Sequence, residues 1–380
     1  MGDSVAWDVI VVGAGLGGLT AAQRLSQAGY QVLVLDKSRG VGGRMATRRV
    51  TWPQRADAPG SETVAVDHGC RFLPASTRLE EPGVAEGVLH PWNPAEFALT
   101  VDSQGRTQVV STPSQGPYAV SPQGMSAVAK TLAAGLTLQR QSRVTQVWPQ
   151  GDGWRVTWVN DAAGAEAGET APLTTRALLL AIPAAQIVPL VTGATAHHAG
   201  LAPFLAAAEA VTFDPVMTVM AGYDGLTDPL TRLDRPQLDP TSPHGWMVWG
   251  QGHPNLRWLA LDSSKRLQSP YPVVVAHSTA TFAETHFDAT DLASVGQTLL
   301  AQAALALDSR LAQPTWMQVH RWRYGFVKQA HPAPLLATAA APTLAGCGDW
   351  CAGLSADDAI QSGEAAAHHL RHSLESQRPE

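Results

Sequence analysis

The residues with the most evident chemistry open the chain. Asp8-Val-Ile-Val-Val runs without a break into Gly13-Ala14-Gly15-Leu16-Gly17-Gly18, a G-x-G-x-x-G spacing. An apolar-periodic stretch follows, Leu19–Ala28 ended by Gly29, and then a second apolar run, Gln31–Leu35, closed by Asp36. Strand, glycine turn, helix, strand and acid in this order are what main-chain binding of a dinucleotide requires. Gly13 permits the tight turn, Gly15 lets backbone N–H groups approach a diphosphate, and Gly18 allows close helix–strand packing; Leu16 belongs to the same turn. The helix start adds unpaired N–H groups and the positive end of its dipole. Asp36 can accept hydrogen bonds from a ribose diol, with Lys37 and Arg39 beside it. The next segment, Arg39-Gly40-Val41-Gly42-Gly43-Arg44-Met45-Ala46-Thr47, adds a glycine doublet and two arginines. Gly43 would bring the main chain close to the ligand, and the guanidinium fork of Arg44 suits diphosphate oxygens, which favours FAD over NAD.

The elements that must position these groups are legible at both ends. Ser121–Ser126 leads into a helix through Leu132. Leu136–Val147 reads as one strand, and Gly151-Asp152-Gly153 turns it into a hairpin whose Trp154, Val156 and Trp158 share a face. Ala177–Ile182, stopped by Pro183, reads as a further buried strand. Near the C-terminus Thr343–Asp349 is a strand ending in Gly348-Asp349. Ser355-Ala356-Asp357-Asp358 then has the form of a capping box that starts a helix with Ala359 and Ile360. Asp349 can hydrogen-bond a ribityl hydroxyl. The new helix start can face a flavin pyrimidine, where reduction accumulates negative charge.

The R-x-x-G-G-R-x-x-T run from Arg39 to Thr47 resembles the flavin amine-oxidase superfamily, and the C-terminal segment resembles the FAD-binding motif of flavin oxidoreductases. The resemblance implies a non-covalent FAD. It would be held by Gly13, Gly15, Leu16, Gly18, Asp36, Lys37, Arg39, Gly43, Arg44, Met45, the backbone of Val144, Gly348, Asp349, Asp358, Ala359 and Ile360. It also implies an α/β fold: a Rossmann-type FAD-binding domain (1–75, 121–194 and 336–380) with a second, mixed α+β substrate domain (76–120 and 195–335). Asp67–Phe72 resembles a segment that passes near the flavin in that superfamily.

The central region carries its own texture of tryptophan and histidine: Trp246 to Trp249, Leu256–Ala260, Ser263-Ser264-Lys265-Arg266, Val275–Ser278 and His320–Tyr324. With Asp36–Met45 these segments resemble the bacterial renalase-like flavoproteins. Two departures are Arg266 where proline and glycine usually follow the lysine, and Cys70-Arg71-Phe72 at a more usual Ala-Gln-Tyr-Phe. The resemblance implies hydride transfer to FAD from a small reduced donor, an isomeric dihydronicotinamide dinucleotide, with O2 reduced to H2O2. Such a donor becomes aromatic on losing hydride, so positioning groups are expected rather than an acid–base triad. His277, after the apolar run Pro272–Ala276 and so at a sheet edge, Trp322 and Arg71 are the candidates. Trp350 is a candidate for stacking, and Lys265 has two readings: an exposed ion-pair partner, which is preferred, or a lysine approaching the flavin N5 through water as in some amine oxidases.

Composition narrows the field. The 380 residues carry 26 Lys plus Arg against 32 Asp plus Glu, a net charge of −6, which disfavours nucleic acid and anionic membranes as partners. Three cysteines and no C-x-x-C pair argue against a disulfide scaffold or structural zinc. His368, His369 and His372 read as a solvated last helix, so no metal site is expected. With no leader-like segment and no apolar run of membrane length, a cytoplasmic location is expected. Two other readings stand beside the renalase-like one: an amine oxidase or desaturase acting on a small amine or apolar substrate, and an FAD-binding protein without turnover.

Overall fold

Short runs of Val, Ile and Leu without polar alternation form strands buried on both faces, and the N-terminal run does so here. The computed structural model describes residues 7–52, 63–75, 77, 87–162, 170–224, 245–267, 269, 271–338 and 343–377. The strand Trp7–Val12 pairs in parallel with Val32–Leu35 on one side and Leu173–Leu180 on the other. Leu173–Leu180 also pairs in parallel with Thr343–Gly346. The register aligns Leu35, Val12, Leu180 and Gly346 in one row. Gly13, Asp36 and Cys347-Gly348-Asp349 therefore all emerge at the carboxyl edge of the same sheet, where ligands of open α/β sheets bind.

The helix Leu16–Gln27 begins three residues earlier than the apolar periodicity suggests, inside the glycine motif. Its N-cap, Gly15, supplies no side chain, so the first amides of the helix are left for another acceptor. The hairpin Ser142–Gln150 and Gly153–Asn160 completes the sheet, with Trp154, Val156 and Trp158 buried together as expected. The segment read as one strand over 136–147 is two. Thr137–Gln139 pairs in parallel with Val32–Leu35, while Ser142–Gln150 pairs antiparallel with Gly153–Asn160. The break is at Gln141, whose φ of 55° no strand residue can hold. The core of this unit joins the sheet to the helix Ala184–Thr195 through Ile10, Leu178, Trp154, Ile187 and Phe204.

Two compact units divide the chain: 1–45, 128–213 and 326–380, and 46–127 and 214–325. Sequence reading sets the junctions elsewhere, chiefly by keeping 46–75 with the first unit. That segment packs with the second because Thr47–Thr51 pairs antiparallel with Thr63–Asp67, and Asp67 lies among the charges of Asp262, Lys265 and Arg266.

The second unit is built on a seven-stranded sheet in which Val273–Ser278 is an inner strand, flanked by Thr212–Gly222 and Leu256–Leu261. The strand runs past Ala276, so His277 sits inside the ladder opposite Thr218 and Trp258 rather than at a sheet edge. Phe97, Met217, Trp246, Leu259, Phe282 and Leu299 lie in this unit's core. Among the described residues no helix is long and apolar enough to cross a membrane.

Candidate functional site

In the first unit the glycine turn is built as the spacing requires. Gly13 has a φ of 108°, and a side chain on it would stand 2.4 Å from the Ala181 carbonyl oxygen. A methyl on Gly18 would stand 2.2 Å from the carbonyl oxygen of Gly13, so turn and helix touch through bare main chain. Gly15 is different: a Cβ there meets nothing within 4 Å. That open space lies at an uncapped helix start, and Gly43 borders it, since a Cβ on Gly43 would come 3.8 Å from Gly15 Cα. Two glycines flanking open space beside free amides form a cradle of the kind a diphosphate occupies.

Around the cradle, Asp36 accepts from the Ala14 amide through Oδ2 and the Ser38 amide through Oδ1, each at 2.7 Å. A carboxylate has about four acceptor sites, so the ribose role read from the sequence stays open to it. Arg44 donates to the Asp349 carboxylate, which ties the N-terminal glycine segment to the C-terminal Gly-Asp. Lys37 and Arg39 are exposed, and the Arg39 carbonyl accepts from Arg140 Nη1. Met45 is buried and closes the turn through its amide to the Gly42 carbonyl. Val144 lies in the hairpin next to an irregularity in pairing between 144 and 146.

The C-terminal helix Ala356–Ser376 starts with a full capping box between Ser355 and Asp358. The Asp358 carboxylate accepts from the Leu354 and Ser355 amides through Oδ2, which serves the helix start itself. Gly348 is held by its amide to Ser362 Oγ. The Ala359 carbonyl approaches Gly17, which lacks the Cβ that would crowd it at 2.9 Å, and Ile360 is core. Trp350, a stacking candidate by sequence, is also core: it is 1% exposed and donates to the Ile182 carbonyl. Burial raises the thiol pKa of both Cys347 and Cys351, which leaves them inert.

The second unit holds a denser constellation. Lys265 is not exposed. Its ammonium, fully buried, lies 2.6 Å from Asp262 and 3.6 Å from Asp67. Arg266 reaches the same two carboxylates at 2.9 and 3.2 Å. Asp67 also accepts from Thr47 Oγ1 and the Met125 amide. Burial alone would raise the Asp67 pKa; Arg266, Lys265 and these hydrogen bonds hold it below the usual carboxylate range. Two acids and two bases balance.

Beside this network sit the three side chains singled out by sequence. His277 is buried, 5.2 Å from the Trp258 ring. Burial, then the charges of Arg71, Lys265 and Arg257, keep it neutral. The Arg71 guanidinium lies 4.9 Å from the Trp249 ring, 5.5 Å from Phe72 and 5.6 Å from Trp258. Burial, followed by Arg257, lowers its pKa to about 10. Trp322 stacks at 5.3 Å on His68 and donates to the His68 carbonyl, with His320 edge-on to both rings. Burial brings the pKa of His68 and of His320 down to about 4.

Several residues here escape sequence reasoning. Glu96 is buried and accepts from Ser114 Oγ, the Gln115 amide and Tyr118 OH through Oε1, and from Trp249 Nε1 through Oε2. It thereby fixes two of the aromatic walls, and Phe72 closes on Tyr118 at 4.2 Å. A lone acid within Ala95-Glu96-Phe97-Ala98-Leu99 was the available signal. Among the described residues no group of His, Cys, Asp and Glu is placed to hold a metal.

Comparison with known proteins agrees with the first unit's architecture. A family model for an NAD(P)-binding Rossmann-like domain matches residues 11–81. Snake L-amino-acid oxidases are similar over a short stretch: that of Echis ocellatus is 55% identical over 42 residues, and that of Gloydius halys 58% over 41. Each match spans 11% of this chain and 8% of the relative. Two solved structures share the fold from end to end. A putrescine oxidase variant covers 97% of this chain and 99% of its own at a TM-score of 0.69 and 13% identity. Cyclohexylamine oxidase from Brevibacterium oxydans covers 97% and 100% at 0.62 and 13%. The chain shares the fold of these two oxidases: a Rossmann-like dinucleotide-binding domain with a second, sheet-rich unit.

Proposed function

We propose that this chain is an FAD-dependent oxidoreductase that takes hydride from a small reduced donor, an isomeric dihydronicotinamide dinucleotide, and passes the electrons to O2 to give H2O2. The cradle at Gly15 carries the cofactor part of this reading. The space a Cβ would fill is open, the helix start beside it has no side-chain cap, and Arg44 with Asp349 gathers donor and acceptor groups on one sheet edge. The residues present fit FAD. Its main-chain amides and Arg44 would hold the diphosphate, Asp36 a ribose, and Asp349 a ribityl hydroxyl. When bound, FAD supplies a two-electron acceptor.

The second unit's own residues support hydride transfer from a donor that needs no base. His68, His277 and His320 are held neutral, chiefly by burial, and the carboxylates of Asp67 and Asp262 are committed to Lys265 and Arg266. Cys70, whose pKa burial raises to about 11, is a poor nucleophile. What remains is positioning by His277, Trp322 and Arg71. The test is anaerobic mixing of the FAD-loaded protein with dihydronicotinamide isomers, ordinary NADH, putrescine, cyclohexylamine and L-amino acids, read at the oxidised flavin band. Rapid bleaching by the isomers alone is expected. Bleaching by amines and not by the isomers would replace this reading with that of an amine oxidase, and resistance to every donor with that of a binding protein.

A further inference from the structure

We infer that the edge strand Thr107–Ser111 of the second unit is an interaction surface, and that its occupant is a second copy of this chain, paired antiparallel about a twofold axis at Val109. The inference goes beyond the proposed reaction and does not depend on it.

The strand closes one side of the seven-stranded sheet, and among the described strands it pairs with Ala95–Val101 alone. The phase of that pairing is fixed at both ends: the Thr112 amide donates to the Glu96 carbonyl and the Asp102 amide to the Arg106 carbonyl, each at 3.0 Å. Opposite residues of an antiparallel ladder alternate between exchanging both main-chain bonds and exchanging none. Ala98 faces Val110 and Leu99 faces Val109 in this register. Gln108 and Val110 therefore bond inward, while Thr107, Val109 and Ser111 turn their amides and carbonyls out of the sheet. Among the described residues no hydrogen bond reaches those outward groups. The edge is also unguarded. Its sequence, Thr-Gln-Val-Val-Ser, carries no charge, proline or irregularity in pairing, and Val110 is 41% exposed. Two other sheet edges here are blunted: Trp316–Gln329 by Arg321 and Arg323, and Ser142–Gln150 by Arg143, the irregularity between 144 and 146, and Pro149. Charges, bulges and prolines are the usual means of keeping an edge from pairing.

Charge and symmetry select the occupant. Each copy carries a net charge of −6, so two copies approach best through an uncharged surface. The charges flanking the strand at its turn, Asp102 and Arg106, hold each other at 2.8 Å. About the axis, Val109 meets Val109 of the second copy and Thr107 meets its Ser111. Each outward amide then finds an outward carbonyl, about six hydrogen bonds in all. Val109 facing its own copy and Thr107 facing Ser111 are cross-strand pairs of the kind that stabilise a sheet. Val110 lies opposite Gln108, so no like charges are brought together. A five-residue edge falls short of the roughly 1,200 Å² that a stable interface buries. The dimer is accordingly weak, with a dissociation constant of about 10–100 µM.

The experiment follows the full, FAD-loaded chain by sedimentation velocity over about a hundredfold range of concentration that brackets this constant. A reversible monomer–dimer equilibrium is expected. Val110→Lys places a charge on the exposed face of the strand and should weaken association by about tenfold or more, at an unchanged melting temperature. Val109→Pro removes the central outward amide without taking a bond from Ala95–Val101, and should act in the same direction. Val109→Cys brings two thiols together at the axis, where paired Cα atoms stand about 5.5 Å apart, within reach of a disulfide. Diamide should therefore trap it as a covalent dimer that a reducing agent releases. Val110→Cys, opposite Gln108 of the second copy, should stay uncrosslinked, as should the parent chain. A monomer at every concentration, a dimer that Val110→Lys leaves unchanged, or trapping of Val110→Cys as readily as Val109→Cys would overturn the inference. Should Val109→Pro fail to fold, Val110→Lys and the crosslinking pair decide. No donor is oxidised in these measurements, so their outcome and that of the donor panel are read separately.

Discussion

Gly15→Ala separates a glycine kept for a ligand from one kept for the fold. At Gly15 the backbone is extended, φ −79° and ψ 179°, which alanine adopts, and the new methyl meets nothing within 4 Å. Losing a glycine from the unfolded chain favours the native state by about 0.4–1 kcal/mol. Alanine is a poorer N-cap than glycine by about the same amount. The two effects offset, so the cofactor-free variant should melt within about 2 °C of the parent. Its methyl, however, stands where the diphosphate would meet the helix amides. Each charge-assisted hydrogen bond lost costs about 1.5–3 kcal/mol, so FAD should bind at least about tenfold more weakly for one bond and a hundredfold for two. Gly18→Ala is the contrast: its methyl would stand 2.2 Å from the Gly13 oxygen and 2.8 Å from Ala181 Cβ, and it should lower the melting temperature outright. Thermal melts of both apoproteins and titration of each with FAD by flavin fluorescence make the comparison. Parental FAD affinity in Gly15→Ala, or a loss of stability matching that of Gly18→Ala, would refute the assignment of the cradle.

The second unit supplies two further expectations. His68 is neutral when folded, with a pKa of about 4 against the ordinary 6.5, so the unfolded chain binds a proton that the native state refuses. Stability is therefore complete above pH 6.5 and falls by about 3 kcal/mol as pH drops from 6.5 to 4, His320 adding in the same window; urea unfolding should show this slope, and His68→Gln should flatten it. Lys265→Met leaves Asp67 and Asp262 sharing only Arg266 in a buried site and should cost about 3–5 kcal/mol, part of which Asp262→Asn recovers in the double variant. An unchanged urea midpoint in Lys265→Met would show that the network is not a balanced one.

Much of the first unit was legible because its information is local. The turn at Gly13–Gly18, the helix after it, and the capping box at Ser355–Asp358 are each specified within a few residues, by the absence of a side chain or by one short hydrogen bond. Even there, local pattern misread one point: it ran one strand through Gln141, where the chain passes from a parallel to an antiparallel partner.

The sequence by itself determined that a dinucleotide-binding sheet opens this chain and where its glycines stand. Only the tertiary structure decided what surrounds His277 and Arg71. Glu96, Tyr118 and Trp249 meet through hydrogen bonds that span up to 153 residues of chain, and Lys265 is buried because Asp67, nearly two hundred residues earlier, shares its charge. A hydrogen bond or an ion pair leaves no spacing in the sequence when its partners come from different strands, since neither residue type names the other. Spacing reports what one turn of chain can do alone; the sign and shape of a buried site depend on which distant strands the sheet makes neighbours.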